Sequence, residues 1–245
     1  MVFRLAGEPL RVYDGAGGTA RSRIAGPVLG GARSAFYAKE AAGPVESVGV
    51  QLLPGAALAL FGVSAAELAG RHTPLAELWG QAADSVLQQL AEETDARRRL
   101  LRLEALLVAR LPERPLLHPA VAQALAGCAQ AGRIDALVRE SRYSHRAFIA
   151  LFRQATGMSP KRYARLLRFQ AVLAAMRADP ALSLGELAYG AGYADQAHMT
   201  REFRECTGIT PSHYRLLAPA AAHHVVLAGP AAGQIRSRQA GGAQA

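Results

Sequence analysis

Two short segments of the chain place polar and basic side chains at helical spacing opposite pairs of large apolar residues. In the first segment, the residues opposite Phe148 and Phe152 are Arg146, Ile149, Ala150 and Arg153. In the second, the residues opposite Met199 and Phe203 are Gln196, Ala197, Thr200, Arg201 and Arg204. These spacings form no nucleophile–base pair and no set of metal ligands. They predict non-covalent recognition by the exposed face of a helix.

The side chains on these faces suit the edges of nucleic acid bases. A glutamine matches N6 and N7 of adenine, and an arginine matches O6 and N7 of guanine. Gln196 and Arg201 are therefore the best candidates for direct contact with bases. His198 is predicted to pack or to contact a phosphate.

A plainer interpretation stands beside this one. Arg146 and Arg153 also fit a solvated helix surface. Lys161, Arg162 and Arg165 fit contacts with phosphates, which carry no sequence information, or no contact at all.

The elements that must hold these side chains occur twice. The stretches "FRQATGMSPKRY" and "FRECTGITPSHY" share Phe, Arg, Thr, Gly, Pro and Tyr at positions 51 residues apart. Each contains the end of a helix that begins at an N-capping Ser144 or Asp195 and stops at Gly157 or Gly208. A shorter helix and a tight turn precede each one. Ile134, Leu137 and Val138 lie on the first of these helices, and Ser183 is the predicted N-cap of the second. This pattern predicts two helix-turn-helix units, whose second helices enter the major groove.

A longer helix is predicted between the two units. The segment "SPKRYARLLRFQAVLAAMRADP" starts with Ser159 and Pro160 as N-cap and first helical residue, and it ends at Asp179 and Pro180. Roughly 18 residues at 1.5 Å each give a helix of about 27 Å. That length suits two recognition helices held about one DNA turn, 34 Å, apart.

Charge is concentrated in the part of the chain that holds this repeat. Residues 1–132 carry 13 Lys and Arg against 12 Asp and Glu, whereas residues 133–217 carry 13 against 7, a net charge of +6. A basic segment beside a neutral one is typical of a polyanion-binding module joined to another domain.

The rest of the chain predicts an α+β protein, with a small N-terminal domain of strands and helices followed by an all-α domain. Short apolar runs broken by Gly and Pro favour strands up to about residue 54, and helical spacing begins at Gly55. Ser64 and Thr73 are predicted helix N-caps, with Pro74 at a first helical position. Residues 84–111 predict two amphipathic helices, with Arg97–Arg99 on a solvated face. The proline-rich "LPERPLLHP" at 111–119 marks a boundary, which gives domains at 1–112 and 118–217 and a disordered tail at 218–245.

The segment "AYGAGYADQAHMTREFRECTGITPSHYR" at 188–215 resembles the second helix-turn-helix unit of the AraC/XylS transcriptional regulators. Met199 stands where that family usually has Phe, and "RESRYS" replaces the usual small-residue turn of the first unit. The resemblance covers about 100 residues, from His118 to Leu217. Residues 49–80 resemble, more weakly, the N-terminal domain of one branch of the family, whose start is richer in strands than this chain.

The resemblance implies a DNA-binding domain of two helix-turn-helix units bridged by the long helix, and it places Arg146, Ile149 and Ala150 toward base edges. Ile149 and Ala150 can offer only apolar contact to thymine methyl groups, so we expect the first unit to discriminate less sharply. In the wider family the N-terminal domain senses an effector or mediates dimerisation.

The sequence thus predicts a sequence-specific transcription regulator, activator or repressor, that binds double-stranded DNA. RNA polymerase, a small-molecule effector and a second copy forming a homodimer are further candidate partners. A non-specific architectural DNA-binding protein is the alternative, with an affinity that comes almost wholly from phosphates. We expect no enzymatic activity, cofactor, metal site or membrane span, and a cytoplasmic location.

Overall fold

A computed structural model describes residues 1–13, 20–40, 45–113, 117–129 and 143–217, together with residues 139 and 141. Six strands come first along the chain, and a seventh lies among the helices that follow, which confirms the predicted α+β class. The strands are β1 (Val2–Ala6), β2 (Leu10–Tyr13), β3 (Ala20–Ile24), β4 (Val28–Gly30), β5 (Ala38–Glu40), β6 (Glu46–Gly49) and β7 (His72–Pro74). The predicted helix through Ile134, Leu137 and Val138 and the predicted tail at 218–245 lie outside the described residues.

The strands form two small sheets. One is antiparallel with the order β6-β1-β4-β7, and in it Val2 pairs with Val28 and Phe3 with Val48. The other has the order β3-β2-β5. Phe3 is fully buried, because the first sheet packs against the helices that follow it.

The N-terminal helices are α1 (Ala56–Phe61), α2 (Ala65–Leu68), α3 (Ala76–Trp79), α4 (Ala82–Glu92) and α5 (Ala96–Val108). They are followed by α6 (Pro119–Ala129), α7 (His145–Thr156), α8 (Pro160–Ala178), α9 (Leu184–Gly190), α10 (Gln196–Thr207) and α11 (Pro211–Leu217). The long helix α8 thus has the predicted bounds. Within the described residues, no helix is long and apolar enough to cross a membrane.

One predicted helix start is wrong. Ser64 caps α2 as predicted, since its side chain accepts a hydrogen bond from Ala66 N at 3.1 Å. Thr73 and Pro74 instead lie in strand β7, where Thr73 is buried and pairs with Leu29 of β4. Because this segment pairs with β4 in the sheet, it is a strand, and α3 begins only after Leu75.

Arg99 also departs from the predicted solvated face. Its side chain is buried and donates hydrogen bonds to the carbonyl oxygens of Leu90 and Glu93 at 2.9 and 2.8 Å, and it pairs with Glu46 at 2.5 Å. The guanidinium therefore closes the turn between α4 and α5 onto β6, while Arg97 and Arg98 stay exposed.

The chain divides into two compact units. The first contains residues 1–10, 23–34 and 40–164, and the second contains residues 11–22, 35–39 and the described residues from Arg165 onward. The first unit holds two apolar cores, one around Phe3 and Leu90 and one around Phe148 and Phe152. The second holds a core around Phe203. The domain division at residues 112–118 stays a prediction.

Candidate nucleic-acid interface

The second helix-turn-helix unit is built by α9, a turn that includes Gly192, and α10. Ser183 and Glu186 form a reciprocal cap at the start of α9, with hydrogen bonds of 2.8 and 3.2 Å. These bonds from Ser183 lower the pKa of Glu186. Gly192 has a φ of 74°, a left-handed conformation that suits glycine in a tight turn. The predicted cap Asp195 then starts α10 by accepting a hydrogen bond from His198 N at 2.6 Å.

The inner face of α10 anchors it to the domain. Met199 and Phe203 are almost fully buried, and Phe203 makes edge-on ring contacts with Phe169 of α8 and Tyr214 of α11. The ring centroids lie 5.2 and 5.6 Å apart, distances at which aromatic pairs attract each other. The rotation of α10 about its own axis is therefore fixed by packing.

The opposite face of α10 carries the predicted base-reading residues. Gln196, Ala197, Arg201 and Arg204 are exposed and Thr200 is half-buried. Thr200, Arg201 and Arg204, together with Glu205, line a shallow depression of about 290 Å³. The structure therefore brings these five predicted residues to one accessible surface.

Beside this surface lies a charged cluster that the sequence reasoning missed. Glu202 is mostly buried and accepts two hydrogen bonds from the Arg168 guanidinium of α8, both at 3.1 Å. His198 Nε2 lies 3.3 Å from the same carboxylate, so His198 packs within the unit, as one of its two predicted roles required. The spacing of His198 and Glu202 at i and i+4 was the only local signal for this cluster.

Tyr193 and Arg168 complete the cluster. The Arg168 guanidinium lies over the Tyr193 ring at 5.2 Å. Burial, together with the negative charge of Glu202, raises the pKa of the Tyr193 hydroxyl. The turn before α10, α10 itself and α8 thus come together around the Glu202 carboxylate.

Arg165 pairs with carboxylates of the protein, and the phosphate contact considered for it stays a prediction. Its guanidinium pairs with Glu205 at 2.5 Å and lies 4.0 Å from Glu202. Burial raises the pKa of the thiol of Cys206, which is a free cysteine. Across the described part of the chain, no three His, Cys, Asp or Glu side chains are grouped closely enough to hold a metal ion.

The first unit is described from Tyr143 onward. Ser144 caps α7 by accepting a hydrogen bond from Ala147 N at 3.3 Å, and Gly157 ends the helix at a φ of 76°. Phe148 and Phe152 are fully buried, whereas Arg146, Ala150 and Arg153 are exposed and Ile149 is half-buried. The four predicted residues therefore share an outer face here too.

The repeated Thr and Gly at the ends of α7 and α10 make the same turn. The Thr156 hydroxyl lies 2.8 Å from the Phe152 carbonyl oxygen and accepts a hydrogen bond from Met158 N at 3.1 Å. Thr207 does the same with Phe203 and Ile209, at 2.8 and 3.2 Å. The repeated residues thus end both helices with the same hydrogen-bonded turn.

Comparison with known proteins finds one family and several single proteins to which parts of the chain are similar. The family described as "Helix-turn-helix domain" matches residues 137–216. The HTH-type transcriptional activator RhaR of Pectobacterium carotovorum subsp. carotovorum (strain PC1) is 31% identical over 83 residues, and so is that of Pectobacterium atrosepticum. The match covers 34% of this chain and 29% of each relative. The solved DNA-binding domain of the global transcriptional factor AdpA, in complex with a target DNA, matches at 19% identity over 51% of this chain and all of its own, with a TM-score of 0.37.

The matched segment defines a protein with a helix-turn-helix domain, and within the described residues α9 and α10 form one complete unit of it. The match falls within residues 118–217, the segment in which the sequence resembles the AraC/XylS transcriptional regulators.

Proposed function

We propose that the chain is a sequence-specific DNA-binding transcription regulator that reads the major groove with α7 and α10. The observation that carries this proposal is the outer face of α10. Gln196 and Arg201 are exposed there, on a helix whose rotation is fixed by Met199 and Phe203. Both side chains suit purine edges in the major groove.

The first unit supports the same role with less polar chemistry. Arg146 lies in the first turn of α7, where recognition helices contact bases, and it is exposed. Ile149 and Ala150 offer apolar surface to thymine methyl groups. We therefore propose that α10 contributes more to discrimination between sites than α7.

The N-terminal region is the proposed place for an effector or for contact with a second copy of the chain. RNA polymerase is the proposed partner at promoters. These roles are proposed from the resemblance of the chain to the AraC/XylS regulators. The matched segment spans only 29% of the length of the curated relatives.

The test begins with selection of bound sequences from random duplex DNA by the full chain. Arg201→Ala is then expected to cost about 1–3 kcal/mol on the selected site and to relax one base position. The matched control is Lys161→Ala, which removes an exposed cation at the start of α8 and is expected to weaken binding to all sequences alike. Equal losses on selected and random DNA for Arg201→Ala would contradict base reading by this residue.

A further inference from the structure

The C-terminal end of α7 is held by hydrogen bonds from N-terminal residues of the same compact unit. Gly55 N–H, just before α1, donates a hydrogen bond to the Ala155 carbonyl oxygen at 2.9 Å. The Ser64 hydroxyl, at the start of α2, donates to the Gln154 carbonyl oxygen at 3.4 Å. The last carbonyl groups of a helix lack partners within the helix, so these donors satisfy acceptors that would otherwise need water.

Packing at this end is as close as the backbone allows. A Cβ atom added to Gly157 would lie 2.9 Å from the Ala65 carbonyl oxygen and 3.0 Å from the Ala32 Cβ. Such distances leave no room for a side chain. Glycine is thus needed at this position for the close approach of α2 as well as for ending the helix.

The residues that contact the end of α7 are themselves hydrogen-bonded within the N-terminal region. Ala32 follows β4, and its carbonyl oxygen accepts a hydrogen bond from Gly70 N at 3.0 Å. Gly31 N donates to the Arg71 carbonyl oxygen at 2.9 Å, which ties the same segment to the end of α2. β4 is hydrogen-bonded on both sides, to β1 and β7. A displacement of the first sheet or α2 is therefore passed directly to α7.

These contacts leave the proposed base-reading face of α7 accessible. Arg146 lies nine residues before Ala155, about 14 Å along the helix. Arg146, Ala150 and Arg153 remain exposed with the N-terminal residues in place. The N-terminal region therefore holds one end of α7 while the other end stays available to DNA.

We propose that Ala32, Gly55, Ser64 and Ala65 form a platform that positions the first recognition helix. The N-terminal region then sets the angle at which α7 presents Arg146, and a ligand or partner that moves the platform changes reading of the first half-site. The effect on reading of the first half-site rests on the proposed function, whereas the positioning of α7 by the platform does not.

The experiment compares the full chain with Ala32→Leu, which wedges the platform away from Gly157. The matched control is Ala91→Leu, the same change at an exposed position of α4. Amide hydrogen exchange in the absence of DNA is expected to speed up roughly tenfold across residues 145–156 of Ala32→Leu, with residues 196–207 unchanged. In selection from random DNA, the preferences at the first half-site are expected to flatten while those at the second persist.

Unchanged exchange in α7, or equal loosening of α7 and α10, overturns the proposal. If Ala32→Leu does not fold, Ala32→Val applies a smaller wedge to the same contact and is held to the same criteria. Failure of the wild-type chain to select any motif would contradict the proposed function. Because exchange is measured without DNA, it would still decide whether the platform positions α7.

Discussion

The proposed readers of DNA are surface residues, whereas the residues that hold them in place are paired and partly buried. Gln196 and Arg201 project from α10, and Glu202 beside them turns inward to Arg168 and His198. Adjacent residues on one helix thus have opposite tasks. Glu202 neutralises the partly buried Arg168 guanidinium.

Replacing Glu202 with Gln is expected to destabilise the chain by about 1–2 kcal/mol, because charged hydrogen bonds to a mostly buried carboxylate are lost. The full cost of breaking a buried pair is not expected, since the Arg168 side chain is 32% exposed and water screens it. Glu205→Gln is the matched control. Its side chain is 60% exposed, so its effect should be near zero. Urea denaturation of both variants measures the difference, and equal stability of the two would contradict the role given to Glu202.

The sequence predicted the outer faces of α7 and α10 because helical periodicity alone separates residues opposite Phe148 or Phe203 from those beside them. It did not predict the Glu202 cluster. Arg168 lies 34 residues before Glu202, and only the packing of α8 against α10 brings the two side chains together.

At the scale of elements, side-chain caps determine where the helices begin. Ser64, Ser144, Ser183 and Asp195 each accept a hydrogen bond from a backbone N–H of the first turn that would otherwise lack a partner. All four were predicted, since Ser and Asp before an amphipathic run is a local signal. Thr73 offered the same signal, yet pairing with Leu29 in the sheet prevailed. Strand pairing between distant segments is invisible to local patterns.

The cap at Asp195 has a functional consequence, since the turn it stabilises carries Gln196 and Ala197. Asp195→Ala is expected to cost about 1 kcal/mol of stability and to blur base preference at the second half-site by fraying that turn. Ser183→Ala, at the start of α9, is expected to cost a similar amount of stability while leaving base preference intact. Urea denaturation and selection from random DNA on both variants give the comparison. The same loss of preference in both would show that instability alone is responsible.

At the scale of the whole molecule, the count of 13 Lys and Arg across residues 133–217 overstates the number of cations that are free to meet DNA. Arg165 and Arg168 are paired with Glu205 and Glu202. Exposed cations such as Arg153, Lys161 and Arg204 remain for phosphates and bases. Charge counting predicted a polyanion-binding module, but it could not separate free arginines from paired ones.

The most direct test of sequence-specific reading is the affinity of the full chain for its selected duplex and for a scrambled duplex of equal length, at two salt concentrations. The account predicts a selected motif of two half-sites about one helical turn, 34 Å, apart, sharper under α10. It also predicts a preference for the selected duplex of about a thousandfold or more at physiological salt, while added salt weakens binding to both duplexes. Equal affinity for the two duplexes, with binding that collapses as salt rises, would contradict it and favour an architectural DNA-binding protein.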